Sequence, residues 1–407
     1  MTIESAIFDV GTGYTKMGLS SNPSPQYIIP TVLGERNNTI THSPIMKNQG
    51  LADLDFFIGD EAIENQKTCQ LTRFMDNGIV TDWEKMEKFY EQCYFRYLRI
   101  NSEEHPVITT DTPFNTPENR EYLAEIMFET FTVPKICIAV QPVLAMFSTM
   151  FSKLQTNKTL NGTVIDCGER VTDIIPVIDG SIVPSAIRRI PIGGADATKF
   201  VLDSLQERGE PMPLNEQHSE QHCFVTSNMM KHFDFFDQRP NEFFKTYDGI
   251  NRVTKQPFSV DVGYERFLAP EIFFNPSLIS TDFTESVPVL VDQAIQHCSV
   301  DSRRSLYGNI CLSGGSSMFR FFGKRMEVEV QKLVNGQLAT AEKLTGEKPP
   351  PIDVKVISTK HQGYGVFFGG SMIASSDNFN DLCRTKEQYE EYGPAICRPL
   401  IHLSTLV

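Results

Sequence analysis

Residues 6–19 read AIFDVGTGYTKMGL, and residues 163–178 read TVIDCGERVTDIIPVI. Each is a short apolar run, then Asp-x-Gly, then a second run that turns back. Apolar runs broken by a glycine turn read as β-hairpins. The matching aspartates, Asp9 and Asp166, stand 157 residues apart. Repetition at that distance predicts two similar domains, since a solenoid repeats every ~20–50 residues.

Each half also feeds a strand into a helix. In the first half, His105–Thr110 reads as the strand, Thr116 as the N-cap and Pro117 as the first helical residue. Leu123, Ile126, Met127 and Thr130 follow at helical spacing. In the second, Asn309–Ser313 reads as the strand and Gly314-Gly315-Ser316 as the turn. Phe322, Met326, Val330 and Leu333 mark the apolar face of the next helix. Strands and helices in this rhythm predict α/β domains. The polar segment from Asn335 to the prolines at 349–351 reads as a surface loop. Residues 32–68 and 203–257 are polar and read as small domains on the rim of a cleft.

Composition narrows the function classes. The chain has 407 residues and a net charge of −14, so it lacks the clustered Lys and Arg that nucleic acid demands. An anionic membrane surface is disfavoured for the same reason. No run of about 18 apolar residues suits a membrane span. The start has no basic n-region, so no signal peptide is expected. Nine cysteines occur without any Cys-x-x-Cys, several inside apolar runs, which predicts reduced, buried thiols. His218 and His222 have near-helical spacing and His232 lies close by, but no acidic frame surrounds them, so a solvated helix face is expected over a metal site. The phenylalanines at 233, 235, 236, 243 and 244 read as a small core.

The chemistry concentrates in the hairpins. Gly11, Thr12 and Gly13 make a turn whose backbone N–H groups can approach a phosphate, and Lys16 adds a point charge. Asp9 ends an apolar strand and can hold a water of Mg²⁺, which keeps most of its waters and takes one or two carboxylates. The second hairpin offers Asp166, Gly168 and the amides after it. Ser313 to Met318 lets a ligand approach a helix start. One Asp-x-Gly turn marks any tight hairpin; two matched hairpins with a downstream strand-Gly-Gly-helix are far more specific. The patterns Gly-x4-Gly-Lys-Ser/Thr, Gly-x-Gly-x-x-Gly and Gly-x-Ser-x-Gly are absent.

The hairpins and Ser-Gly-Gly together resemble the actin superfamily of ATP-binding proteins, which also holds sugar kinases and heat-shock chaperones. Longer blocks resemble its actin-related members: LADLDFFIGDEAIE (51–64), NTPENREYLAEIMFE (115–129), IAVQPVLA (138–145), FSVDVGYERFLAPEIFF (258–274), LSGGSSMFR (312–320) and VFFGGSMIAS (366–375). The resemblance runs nearly end to end and is weakest at 35–50 and 203–250. It implies an α/β, actin-like ATPase fold, with two similar α/β domains around a central nucleotide cleft. Four subdomains are implied: 1–31, 69–148 and 365–407; 32–68; 149–192 and 275–364; and 193–274.

By the same resemblance the cofactors are ATP or ADP with Mg²⁺. Gly11, Thr12, Gly13, Tyr14 and Lys16 would hold phosphates, as would Gly168, Glu169 and Arg170. Gly194, Gly314, Gly315, Ser316 and Met318 would line the adenosine side. Asp9 and Asp166 would reach the metal through water, and Gln141 with Asp166 would position the attacking water. The resemblance implies a cytoplasmic subunit of the actin cytoskeleton, no enzyme in its own right, with any ATP hydrolysis slow or absent. Its implied partners are actin-related protein 2, the other subunits of the actin-nucleating complex, actin and nucleation-promoting factors. A kinase or ATPase of the superfamily, and a nuclear actin-related protein of a chromatin complex, are the alternatives. The chain departs from the family pattern at Arg170, where a glycine is usual, at Asp173, where a histidine is usual, and at Gly363, where a basic residue is usual.

Overall fold

The structure, a computed structural model, describes residues 4–36, 56–150, 159–210, 222–251 and 253–400. It divides into two units: Met1–Gln141, Arg252–Lys255 and Gly370–Ile401 form one, and Pro142–Asn251, Gln256–Gly369 and His402–Val407 the other.

The first unit is built on a six-stranded sheet. Its order is Arg384–Thr385, Lys135–Val140, Val107–Asp111, Ala6–Val10, Tyr14–Leu19, Tyr27–Pro30. Ala6–Val10 pairs antiparallel with Tyr14–Leu19, as the hairpin reading predicts, and parallel with Val107–Asp111. All five residues of Ala6–Val10 are buried. A strand covered on both faces reads as continuous apolar sequence, which is why this one does not alternate. Phe8 lies edge-on to Tyr90 and Tyr94 beneath the sheet.

The second unit repeats the plan. Its main sheet runs Ser181–Ile182, Thr172–Ile178, Gly162–Cys167, Ile310–Ser313, Val356–Ile357, and Arg188–Ile190 adds to Thr172–Ile178. Gly162–Cys167 pairs antiparallel with its hairpin partner and parallel with Ile310–Ser313. Each unit thus places a hairpin beside a parallel strand that feeds a helix. Each also carries a smaller, separate apolar cluster: Val32, Phe57, Ala62 and Cys69 in the first, and Val201, Leu205, Cys223, Val260, Val262 and Ala269 in the second.

Local signals behave as read at Thr116, whose hydroxyl accepts from the Asn119 N–H at 3.3 Å ahead of the helix Pro117–Glu125. The segment after Asn335 does so only from Gly346 to Pro351, which is irregular and largely exposed. The helix Phe322–Thr345 runs 24 residues, and only Gly346, at φ +74°, ends it. Its buried row is Phe322, Met326, Val330 and Val334, so Leu333 is only partly covered. The stretch 337–344, QLATAEKL, is mostly exposed, with Leu338 packed against the core, and its Ala, Leu, Glu and Lys are strong helix formers.

The aromatic cluster is a looser core than expected. Phe243 is buried against Phe235, Phe236 and Phe267, but no residue of the helix Met229–Gln238 is fully buried. All nine cysteines are free and buried. His218 lies outside the described residues, and no group of three metal-ligating side chains occurs among those described. No helix among the described residues is long and apolar enough to cross a membrane.

Candidate functional site

In the first unit, three adjacent strands end side by side. Asp9 sits one residue before the end of Ala6–Val10, Thr110 near the end of its parallel neighbour, and Gln141 directly after Lys135–Val140. Open α/β sheets bind ligands outside the carboxyl ends of parallel strands. Here those ends converge on one carboxylate. Thr110 Oγ1 donates to Asp9 Oδ1 at 3.0 Å, and Gln141 Nε2 donates to the same oxygen at 3.1 Å. Lys16, opposite Asp9 in register, donates to Oδ2 at 3.1 Å. Asp9 is 1% exposed, whereas the Lys16 side chain keeps 20% of its surface. The carboxylate is therefore fixed in place while the lysine side chain stays partly exposed.

The turn beside it is equally constrained. Gly11 N–H donates to the Tyr14 carbonyl at 3.1 Å, and a Cβ on Gly11 would stand 2.9 Å from that oxygen. Thr12 Oγ1 accepts from the Gly78 N–H at 2.8 Å, and the Gly13 carbonyl accepts from the Thr31 N–H at 2.9 Å. The Gly78 N–H thus holds the Thr12 hydroxyl as an acceptor, which leaves its O–H able to donate.

In the second unit, four glycine-bearing turns meet. The Gly168 carbonyl accepts from Gly194 N–H at 2.9 Å and from Ser316 Oγ at 3.1 Å. The Glu169 carbonyl accepts from Ala195 N–H at 2.8 Å. Gly314 has φ +87°, and a Cβ there would strike the Cys167 carbonyl and approach Asp166 Oδ1 to 3.0 Å. A Cβ on Gly194 would lie 2.6 Å from Ser316 Oγ. Gln362 Nε2 donates to the Ser317 carbonyl at 2.9 Å, and a Cβ on Gly363 would touch the Met318 side chain. Asp166, Gly168, Glu169, Arg170, Gly194, Gly314, Gly315, Ser316 and Met318 are therefore neighbours, with Met318 exposed.

Asp173 faces Asp166 across the second hairpin. It is buried, and Arg189 takes both of its oxygens, Nε to Oδ1 at 2.6 Å and Nη2 to Oδ2 at 2.7 Å. Burial pushes its carboxyl above the ordinary value against the pull of Arg189.

The structure adds members that the sequence reading missed. Thr110 bridges Asp9 and Gln141, since Gln141 Nε2 also reaches Thr110 Oγ1 at 3.2 Å. Gly193 closes on Glu169 so tightly that a Cβ there would strike the Glu169 carbonyl, and its N–H donates to Asp196 Oδ2 at 2.8 Å. No local motif marks Thr110, which strand register brings in, whereas Gly193 is the N-cap of the helix Gly194–Glu207 and forms a capping box with Asp196.

The family profile described as Actin matches this chain over residues 1–219 and 210–400. The chain belongs to the actin family. It is similar to Actin-related protein 3 of Acanthamoeba castellanii, 48% identical with 97% of this chain and 96% of that protein aligned. Actin-related protein 3 of Dictyostelium discoideum is 45% identical at the same coverage, and that of Drosophila melanogaster is 45% identical over 97% of both chains. Membership in the actin family accounts for the α/β content of both units and their repeated plan.

Actin-family membership implies a nucleotide with Mg²⁺, and the residues present fit that group. Each unit offers one aspartate at the carboxyl end of a strand, next to a turn that closes around glycines with no room for a Cβ. Lys16 supplies the cation in the first unit. Oxygen donors of this kind suit a hard divalent cation that keeps its waters.

Proposed function

We propose that the chain is an ATP-binding structural subunit that pairs with actin-related protein 2 in an actin-nucleating complex and templates new branched filaments. The observation that supports this most is its 45–48% identity, over 97% of its length, to Actin-related protein 3 of four organisms. Actin assembly starts slowly because the first contacts bury too little surface to offset the lost translational freedom. A prebuilt pair of actin-like subunits removes that barrier, and actin monomers add to it. Nucleation-promoting factors and the remaining subunits bring the pair together. Such a subunit works in the cytoplasm, on the actin cytoskeleton, with the four-subdomain division given above.

In this reading Thr12, Gly13, Tyr14 and Lys16 meet the phosphates, as do Gly168 to Arg170. Gly194 and Gly314 to Met318 line the adenosine side. Asp9 and Asp166 hold metal waters, and Gln141, held by Asp9 and Thr110, orients the attacking water. A ligand that contacts both hairpins favours whichever arrangement lets both reach it, so nucleotide gates the active shape. Hydrolysis is slow or absent, which accords with the engagement of both Asp173 oxygens by Arg189.

The test is reconstitution with actin-related protein 2 and the other subunits, followed by branch counting on fluorescent actin. Co-purification and branching support the proposal, and Asp9→Ala or Asp166→Ala weakens nucleotide binding and branching together. Full branching by a nucleotide-free variant contradicts the gating. Recovery with a remodelling ATPase in place of the sister subunit favours the chromatin alternative. Sugar-dependent phosphate transfer at several turnovers per second favours a kinase.

A further inference from the structure

Across the sheet of the second unit, Ser313, Asp166, Asp173 and Arg189 lie in one register row. Asp166 is opposite Ser313 in the parallel pair and opposite Asp173 in the hairpin, and Asp173 is opposite Arg189 in the next pair. Residues directly opposite share a face, with Cβ atoms roughly 4.5–5.5 Å apart. Two carboxylates are therefore side by side at the end of the sheet, and one of them also has a guanidinium beyond it.

Two adjacent carboxylates repel each other and settle by sharing a proton or a cation. Here the cation is built in. The planar fork of Arg189 meets the Asp173 carboxylate along both oxygens, the bidentate geometry that lysine cannot reproduce. The fork is held firmly. Arg189 belongs to the short strand Arg188–Ile190, and the chain just after it is fixed where the Ile192 carbonyl accepts from Thr172 Oγ1 at 2.7 Å. Two residues later, the Gly193–Gly194 turn is tied to Gly168. Asp173 is 6% exposed and Asp166 is partly exposed, so the accessible carboxylate of the pair is Asp166.

We propose that Arg189 is a positioning residue that withholds Asp173 from metal, so that this unit presents one carboxylate, Asp166, to the water shell of a bound Mg²⁺–nucleotide. The inference rests on the nucleotide reading of the site. Arg189 thereby keeps the second hairpin from becoming a two-carboxylate cation site that holds a divalent metal without nucleotide. Metal then arrives with the nucleotide and leaves with it.

The experiment is Mn²⁺ binding to nucleotide-free protein, read by the EPR signal of free Mn²⁺, with Arg189→Gln. The variant gains about a thousandfold in Mn²⁺ affinity, the effect of removing a unit positive charge roughly 8 Å from a divalent ion at an effective dielectric near 20. Adding Asp173→Asn to it abolishes the gain. Arg189→Lys keeps the charge but loses the fork, and shows a smaller gain; it serves also if Arg189→Gln does not fold. Unchanged Mn²⁺ affinity in folded Arg189→Gln and Arg189→Lys overturns the inference. So does a gain that survives Asp173→Asn. Binding of a fluorescent ATP analogue to the unaltered chain is measured separately. Its absence overturns the nucleotide reading, and the Mn²⁺ result still reports on Arg189.

Discussion

Asp9 and Lys16 face each other across the first hairpin, with Lys16 Nζ 3.1 Å from Asp9 Oδ2, the carboxylate buried and the lysine side chain partly exposed. Three donors converge on this one carboxylate, since Thr110 and Gln141 share its other oxygen. Asp9→Ala removes the common acceptor and leaves all three to rearrange. The expected cost is about 2 kcal/mol in stability, in the range for hydrogen bonds to a charged group. Mg²⁺–ATP affinity falls by a larger factor than for Lys16→Met, because the metal contact is lost as well. Chemical denaturation and titration with a fluorescent ATP analogue read the two effects separately.

Gly314 and Gly315 are neighbours with opposite tolerance. Gly314 has φ +87° and no room for a Cβ, whereas nothing lies within 4 Å of a Cβ at Gly315. Gly314→Ala combines left-handed strain with a clash against the Cys167 carbonyl and costs about 2–4 kcal/mol. Gly315→Ala stays within about 0.5 kcal/mol. Thermal unfolding of the two variants side by side checks the contrast; equal melting temperatures contradict it.

Asp111 and Arg120 form a buried ion pair at 3.0 Å, and Arg120 Nε also donates to the Arg398 carbonyl at 2.8 Å. Arg120→Met strands the carboxylate and destabilises by about 3–5 kcal/mol. Burial lifts the Asp111 carboxyl above its ordinary value, against the pull of Asn115 and Arg120. The folded chain therefore binds this proton more tightly than the unfolded chain does. The resulting stability is fully present below the ordinary carboxylate value and is lost as pH rises through the raised one. Asp111→Asn cannot titrate and removes that part of the slope, which urea midpoints taken from about pH 3 to 7 detect.

The thiols give a chemical test of burial. Cys311 is pushed up to about 12 and Cys397 to about 11, in both cases chiefly by burial. Alkylation needs the thiolate, so a thiol titrating near 11 is about 0.1% reactive at pH 8. Native protein treated with iodoacetamide at that pH remains unlabelled at both positions by mass spectrometry, and urea exposes them. Rapid native labelling of Cys311 would show that its strand opens.

Much of the plan was legible from local pattern alone. The two Asp-x-Gly hairpins, the Thr116 cap and the strand-Gly-Gly-helix at 309–322 all rest on neighbours in sequence, and neighbours decide turns and caps. The helix beyond Asn335 was hidden because solvent-facing helix and loop share a polar composition, and the separation rests on helix propensity summed over the whole stretch. Phe233 and its aromatic neighbours read as a core because all are apolar, but how deeply each is covered depends on distant segments such as Phe267.

The sequence by itself determined that two look-alike hairpins exist, that each ends in an aspartate beside glycines, and that the thiols are inward. These follow from backbone freedom at glycine and from apolar runs, both of which act over a few residues. Tertiary structure alone decided that Thr110 and Gln141 share an oxygen of Asp9, that Gly193 closes on Glu169, and that Asp173 is spent on Arg189. Those contacts join residues from 16 to 132 positions apart. Which strand lies beside which, and in what register, is set by the packing of the whole sheet, and no local window of sequence contains that information.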